Sequence, residues 1–185
     1  MPTGFDFAEC ALNTKWNKFT YSHLDCQGFV EAVLKDIGVR KPDGTVYDWR
    51  GSNSMWRNYY KWRGTIEECK EKYGLIPVGA FVYIREPSGE EKVGYTDGLG
   101  NFRHVGIYVG SEKVRDSTYI KNKRDGVGTR SIKGFTHVSL FSGLDYLPKE
   151  NYTSDDEILS ILERMKTELT RMEEDFKRLK EVLGK

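Results

Sequence analysis

A chain of 185 residues has room for one hydrophobic core and an appendage. Its 29 Lys plus Arg against 28 Asp plus Glu leave no global basic field, which argues against nucleic acid as the partner. Three cysteines, Cys10, Cys26 and Cys69, none in a CxxC pair, exclude a disulfide framework and a zinc-ribbon spacing, and no apolar run approaches the length of a membrane span.

The opening MPTGFDFAECALNTK lacks the basic-then-apolar order of a secretory signal, so the expectation is a protein made in the cytoplasm without self-directed export. Residues 5 to 19 read as a short helix, and Trp16, Phe19, Tyr21 and His23 lead into the stretch that follows. In LDCQGFVEAVLKDIG, residues 24 to 38, the apolar Phe29, Val30, Val33, Leu34 and Ile37 recur at helical steps. Asp25 is a good N-cap and Gly38 a good stop. Cys26 therefore opens the helix, where unsatisfied backbone N–H groups and the dipole favour thiolate over thiol. A free cysteine on an apolar helix is more often a small buried hydrophobe, which is how Cys10 and Cys69 read.

After a turn at KPDG, Ser52 is expected to cap a helix carrying Met55, Trp56, Tyr59, Tyr60 and Trp62, with Arg50, Arg57, Lys61 and Arg63 interleaved. That pattern suits an aromatic face on the core with charges outward, ahead of a single-stranded nucleic-acid surface or a platform for anionic glycan and peptide. A second helix, Thr65 to Tyr73, stops at Gly74. From Pro77 the period becomes two: a strand over Ala80 to Ile84, a long polar loop from Arg85 to Phe102 suited to a cleft rim, and a strand over His104 to Val109. Its alternation sends Val105, Ile107 and Val109 one way and His104, Gly106 and Tyr108 the other, with Gly106 leaving open space beside the imidazole. Further strands over Lys113 to Thr118, Val127 to Ile132 and His137 to Leu144, with His137 structural, complete a small antiparallel sheet. The fold class is α+β, with N-terminal helices packed on that sheet.

Beyond Pro148 the composition changes. Ser154 and Glu157 form a capping box, and Ile158, Leu162, Met165, Leu169, Met172, Phe176, Leu179 and Leu183 alternate steps of four and three. The division is residues 1 to 150 as one domain and 151 to 185 as a coiled-coil helix on the order of 45 Å long. Homo-oligomerisation through residues 154 to 183 is expected, as dimer or trimer.

Cys26 on a helix start and His104 on a strand supply the nucleophile and proton carrier that covalent catalysis needs. In a hairpin after Gly110 the far end of Lys113 to Thr118 comes alongside His104, so a third group belongs there. The register leaves Asp116 or Ser117 for that place. A metal held by Cys26, His23 and His104 lacks ligand spacing, and neither metal nor cofactor is expected.

The segments DCQGFV from Asp25, GLIPVGAFV from Gly74 and HVGIYVG from His104, in that order, resemble the NlpC/P60 family of papain-like cysteine peptidases that hydrolyse bacterial cell-wall peptides. The resemblance covers most of residues 8 to 148 and is strongest to versions from phages and Firmicutes, where a glycine-rich turn like Tyr95 to Asn101 precedes the histidine strand. It implies a papain-like fold, peptidoglycan as partner, and cleavage of the stem peptide between D-glutamate and the diamino acid. Catalysis would fall to Cys26, His104 and Asp116. The residues expected at the substrate are Tyr21, with Trp16 as rival, Asp25, and Gln27 where the family more often has serine. An endolysin released through a holin, or a virion-associated lysin, fits such a chain; an N-acetylmuramoyl-L-alanine amidase and an inactive wall-binding or virion module are the alternatives. Every version requires the sulfur and the imidazole to meet in one crevice.

Overall fold

The computed structural model describes residues 1–146 and, further on, residues 168, 169, 171, 172, 175–178 and 180. The chain divides into two compact units, Met1–Leu147 and Pro148–Lys185. The first is an α+β domain on a six-stranded sheet with strand order β1-β6-β2-β3-β4-β5, every neighbouring pair antiparallel. In chain order its elements are α1 (Gly4–Leu12), a 3-10 turn (Thr14–Lys18), α2 (Cys26–Asp36), α3 (Ser52–Arg57), β1 (Tyr60–Thr65), α4 (Ile66–Tyr73), β2 (Phe81–Arg85), β3 (Phe102–Tyr108), β4 (Lys113–Ile120), β5 (Arg124–Ser131) and β6 (His137–Phe141).

Alternation along the central strands builds two cores. Phe81, Tyr83, Val105, Ile107 and Phe141 pack with Phe7 and Ala11 of α1, Phe29, Val30, Val33 and Leu34 of α2, and Met55 and Trp56 of α3. Ala80, Val82, Tyr108, Val114, Val138 and Leu140 pack with Cys69 of α4 and with Ile76, Ile132 and Phe135. Strands buried on both faces read as near-continuous apolar runs, as AFVYI does. Capping boxes at Thr3 and Asp6 and at Thr65 and Glu68 start α1 and α4, and left-handed Gly74 ends α4.

The helix expected from Ser52 through Trp62 is corrected. Gly51 is the N-cap, α3 ends at Arg57, and Asn58 turns extended while its side chain donates to Ser54 O at 2.8 Å. Tyr59 takes a positive φ of 61°, and Tyr60–Thr65 becomes the strand β1 beside β6. Aromatic residues fit a strand as well as a helix, and the free edge of β6 supplies the backbone partners that decide between them. Two of the interleaved cations find partners within the domain. Arg63 donates to Trp56 O at 2.8 Å and its guanidinium lies over the Tyr60 ring at 4.3 Å, while Lys61 donates to Leu144 O at 2.8 Å.

In the second unit the described residues are helical, and Leu169, Met172 and Phe176 are each more than half exposed. The rest of the expected seam and its capping box, Ser154, Glu157, Ile158, Leu162, Met165, Leu179 and Leu183, lies outside the described residues. Among the described residues no helix is long and apolar enough to cross a membrane.

Candidate active site

Asp25 caps α2 from an extended backbone, its Oδ1 accepting the Gly28 N–H at 2.7 Å, so Cys26 is the first helical residue. The N–H groups of Cys26 and Gln27 are the ones that such a start leaves without intrahelical acceptors. Ser117 of β4 donates its hydroxyl to Leu24 O, which pins the approach to α2 against the sheet.

His104 comes from β3. That strand pairs with β4 only at Ile107 with Arg115 and at Tyr108 with Val114, although both strands continue. Beyond that point His104 Nε2 meets Asp116 Oδ2 at 2.6 Å. An ionised carboxylate only accepts, so Nε2 carries the proton and Nδ1 is the nitrogen left for the sulfur. The sulfur of Cys26 lies close enough to this imidazole to act on it. Burial opposes the imidazolium, but the bonds to Asp116 and Cys26 and their charges outweigh it, and the pKa of His104 is raised above its ordinary 6.5. Burial likewise opposes the charge of Asp116; the hydrogen bond from His104 and the charges of His104, Arg130 and Arg124 reverse it, holding the carboxyl below its ordinary value.

The open space expected beside Gly106 is corrected, because it is filled from β4. A β-carbon on Gly106 would lie 2.4 Å from Val114 Cγ1 and 3.0 Å from Asp116 Cβ. The missing side chain is what lets Asp116 stand beside the imidazole. Of the two register alternatives, Asp116 is the residue that meets His104, while Ser117 faces Leu24.

Tyr21 is the aromatic residue at the sulfur. Burial, then the charges of Cys26 and Asp25 and a hydrogen bond to Cys26, push its phenol up to about 12 and keep it a donor. Its backbone N–H donates to Asp125 Oδ1 of β5 at 2.7 Å. Trp16 lies in the core with its indole donating to Cys10 O at 2.8 Å. The amide of Gln27 is spent within the chain: its nitrogen donates to Glu31 at 2.8 Å and to Trp49 O, and its oxygen accepts from Gly51 N. His23 is exposed and bonds Thr20 Oγ1 through Nδ1 at 2.7 Å. His137 packs its ring against Trp56 and Phe102.

Sequence reasoning missed two arginines. Arg124 Nη2 reaches Asp116 Oδ1 at 2.5 Å, and Arg130 Nε and Nη2 reach Oδ2 at 2.8 and 2.7 Å. The available signal was the alternation RDGVGTR in β5, which sets two arginines and two glycines at even positions of one strand.

Cys26 keeps 6 % of its surface and His104 8 %, so the pair lies just beneath the surface. The other two thiols are held protonated at neutral pH: burial, with a bond from Cys10 Sγ to Asp36 at 3.1 Å, pushes Cys10 up to about 12, and burial takes Cys69 to about 12. The first unit is thus an α+β domain that joins a cysteine at a helix start to a histidine and a buried aspartate. No protein-family model matches the chain and no curated protein matches it.

Proposed function

We propose that the first unit is a papain-like cysteine hydrolase of the NlpC/P60 kind that cleaves the stem peptide of bacterial peptidoglycan at the bond between D-glutamate and the diamino acid. The observation that carries the reading is the Cys26, His104, Asp116 chain of contacts at the positive end of α2. His104 Nδ1 takes the thiol proton, and the sulfur attacks the peptide carbonyl. The resulting oxyanion faces the N–H groups at the helix start. His104 then gives its proton to the leaving amine, and water, deprotonated by the same nitrogen, releases the acid from the thioester. Asp116 holds the tautomer and offsets the imidazolium charge throughout. Tyr21, still protonated, is placed to donate toward the sulfur.

The test is turbidity loss of purified cell walls by the protein and by Cys26→Ala. Lysis by the first, and none by a folded variant, is expected; equal rates in both would end the hydrolase reading. The low exposure of Cys26 and His104 favours one second reading, an inactive wall-binding or virion module on the same fold, which predicts wall binding without release of new amino termini.

We infer further that the second unit is a coiled coil that joins copies of the chain, and that the lysin reaches the wall through a holin or from a phage particle. The exposed Leu169, Met172 and Phe176, at steps of three and four on helical residues, support it. Light scattering of the full chain and of Phe176→Glu tests it, with an oligomer in the first and a smaller species in the second; a monomeric full chain would overturn it.

A further inference from the structure

Asp116 carries an unusual load for one carboxylate. It is fully buried and accepts from three cationic or potentially cationic side chains: His104 and Arg130 on Oδ2, Arg124 on Oδ1. The two guanidiniums are mostly covered, with 19 % and 29 % of their side chains exposed, so water screens them weakly.

The strand is built to bring them there. Gly128 stands directly opposite Asp116 across the β4–β5 ladder, and a β-carbon on it would lie 2.6 Å from Arg124 Nη1 and 2.7 Å from Arg124 Cδ. Arg124 therefore folds over the position that Gly128 leaves empty. Arg130, opposite Val114, is braced from outside by the Phe135 ring at 4.6 Å, and the same Phe135 ring lies 5.9 Å from that of His104. Holding Oδ1 and Oδ2 from two separate residues stops the carboxylate from rotating about its last bond.

Two positive charges on one carboxylate also weaken what that carboxylate does for the imidazole. The remaining groups around the pair are Cys26 from α2, Tyr21 and the N-cap Asp25 at the sulfur, and Arg115 of β4, which senses both Arg124 and Asp116. Arg115 itself is turned to Ala11 O at 3.1 Å and to Asn17.

We propose that Arg124 and Arg130 are positioning residues for the His104–Asp116 pair: they clamp the carboxylate toward Nε2 and share its negative charge, leaving His104 a weaker base than a lone aspartate would make it. A general base works best when its pKa lies near the operating pH, and sharing the carboxylate's charge lowers the affinity of the imidazole for its proton. The catalytic consequence rests on the hydrolase reading; the electrostatic relationship does not.

The experiment is a pH titration of the imidazole resonances by heteronuclear NMR. The chain has only three histidines, and His23→Gln and His137→Gln assign His104 by elimination. Arg130→Met is expected to move the His104 midpoint upward, and Arg130→Lys, which keeps the charge, to leave it close to wild type. A midpoint unmoved in a folded Arg130→Met would reduce the arginines to glue between β4 and β5 and overturn the proposal. Should that variant not fold, Arg124→Met carries the same test with the same expected sign, since its partner is the other oxygen of the same carboxylate. Loss of the hydrolase reading in the wall assay leaves this titration decisive, and an unmoved midpoint leaves the hydrolase reading intact.

Discussion

Gly106 and Asp116 stand so close across the β3–β4 boundary that a β-carbon on the first would lie 3.0 Å from that of the second. The site thus depends on an absent side chain. Gly106→Ala puts a methyl 2.4 Å from Val114 Cγ1 as well, inside a layer where Val114 and Asp116 are both fully buried. Overpacking of that kind costs about 1–3 kcal/mol, so the urea midpoint should fall and wall hydrolysis with it. An alanine variant as stable and active as wild type would show that the strands move apart freely.

Asp116→Asn keeps the shape but removes the anion beneath two guanidiniums. Leaving a buried charge without its partner costs about 3 kcal/mol, and this loss should show in urea denaturation. Hydrolysis should fall by about a hundredfold or more, because the imidazolium loses its counter-charge. The NMR midpoint of His104 should drop in the same variant. A stable Asp116→Asn variant with an unshifted His104 would refute the role given to the carboxylate.

Stability should carry the signature of His104. Its folded pKa is raised above the ordinary 6.5, so its stabilising contribution is complete below that value and is lost as pH rises through the raised one. Asp116, with a lowered pKa, works the other way: its contribution is present above the ordinary 3.8 and is lost as pH falls through the depressed value. Thermal unfolding of wild type against His104→Gln, from about pH 5 to about pH 8, should show the advantage of wild type shrinking with rising pH. A difference that is flat, or grows, across that range would contradict the raised value.

Brief alkylation at neutral pH, read by mass spectrometry of the digested protein, should mark Cys26 first. Cys10 should react slowly and Cys69 not at all, since Cys69 is fully buried and both thiols are held at about 12. Labelling of Cys10 ahead of Cys26 would count against an activated nucleophile at the start of α2.

Arg57 ties the loop between β2 and β3 to α3. Its guanidinium donates to Asp97 Oδ2 and Oδ1 at 2.7 and 2.8 Å and to Gly100 O at 3.1 Å, and it lies over the Tyr95 ring at 4.1 Å. In Arg57→Ala, hydrogen exchange should speed up across residues 91–100 while the strands keep their protection. Unchanged exchange in the loop would mean that its glycine turns hold it without the arginine.

The parts legible in the sequence are those decided by near neighbours. The start of α2 at Cys26 follows from an aspartate one residue earlier and from apolar residues at three- and four-residue steps, all within a few turns of backbone. The strand of His104 and its two faces follow in the same way from alternation. Where a run of aromatics suited both periods, at Tyr59 to Trp62, local pattern chose a helix, and the unpaired edge of β6 made it a strand.

What the sequence by itself determined is the pair of elements that carry the sulfur and the imidazole, because capping and periodicity act over a few residues. Only the tertiary structure decided which residue of β4 meets His104, that Gly106 is filled rather than open, and that Arg124 and Arg130 close over Asp116. The physical reason is register: a slip of one residue between antiparallel strands turns every side chain to the other face, and that alignment is set by packing between segments distant in the chain.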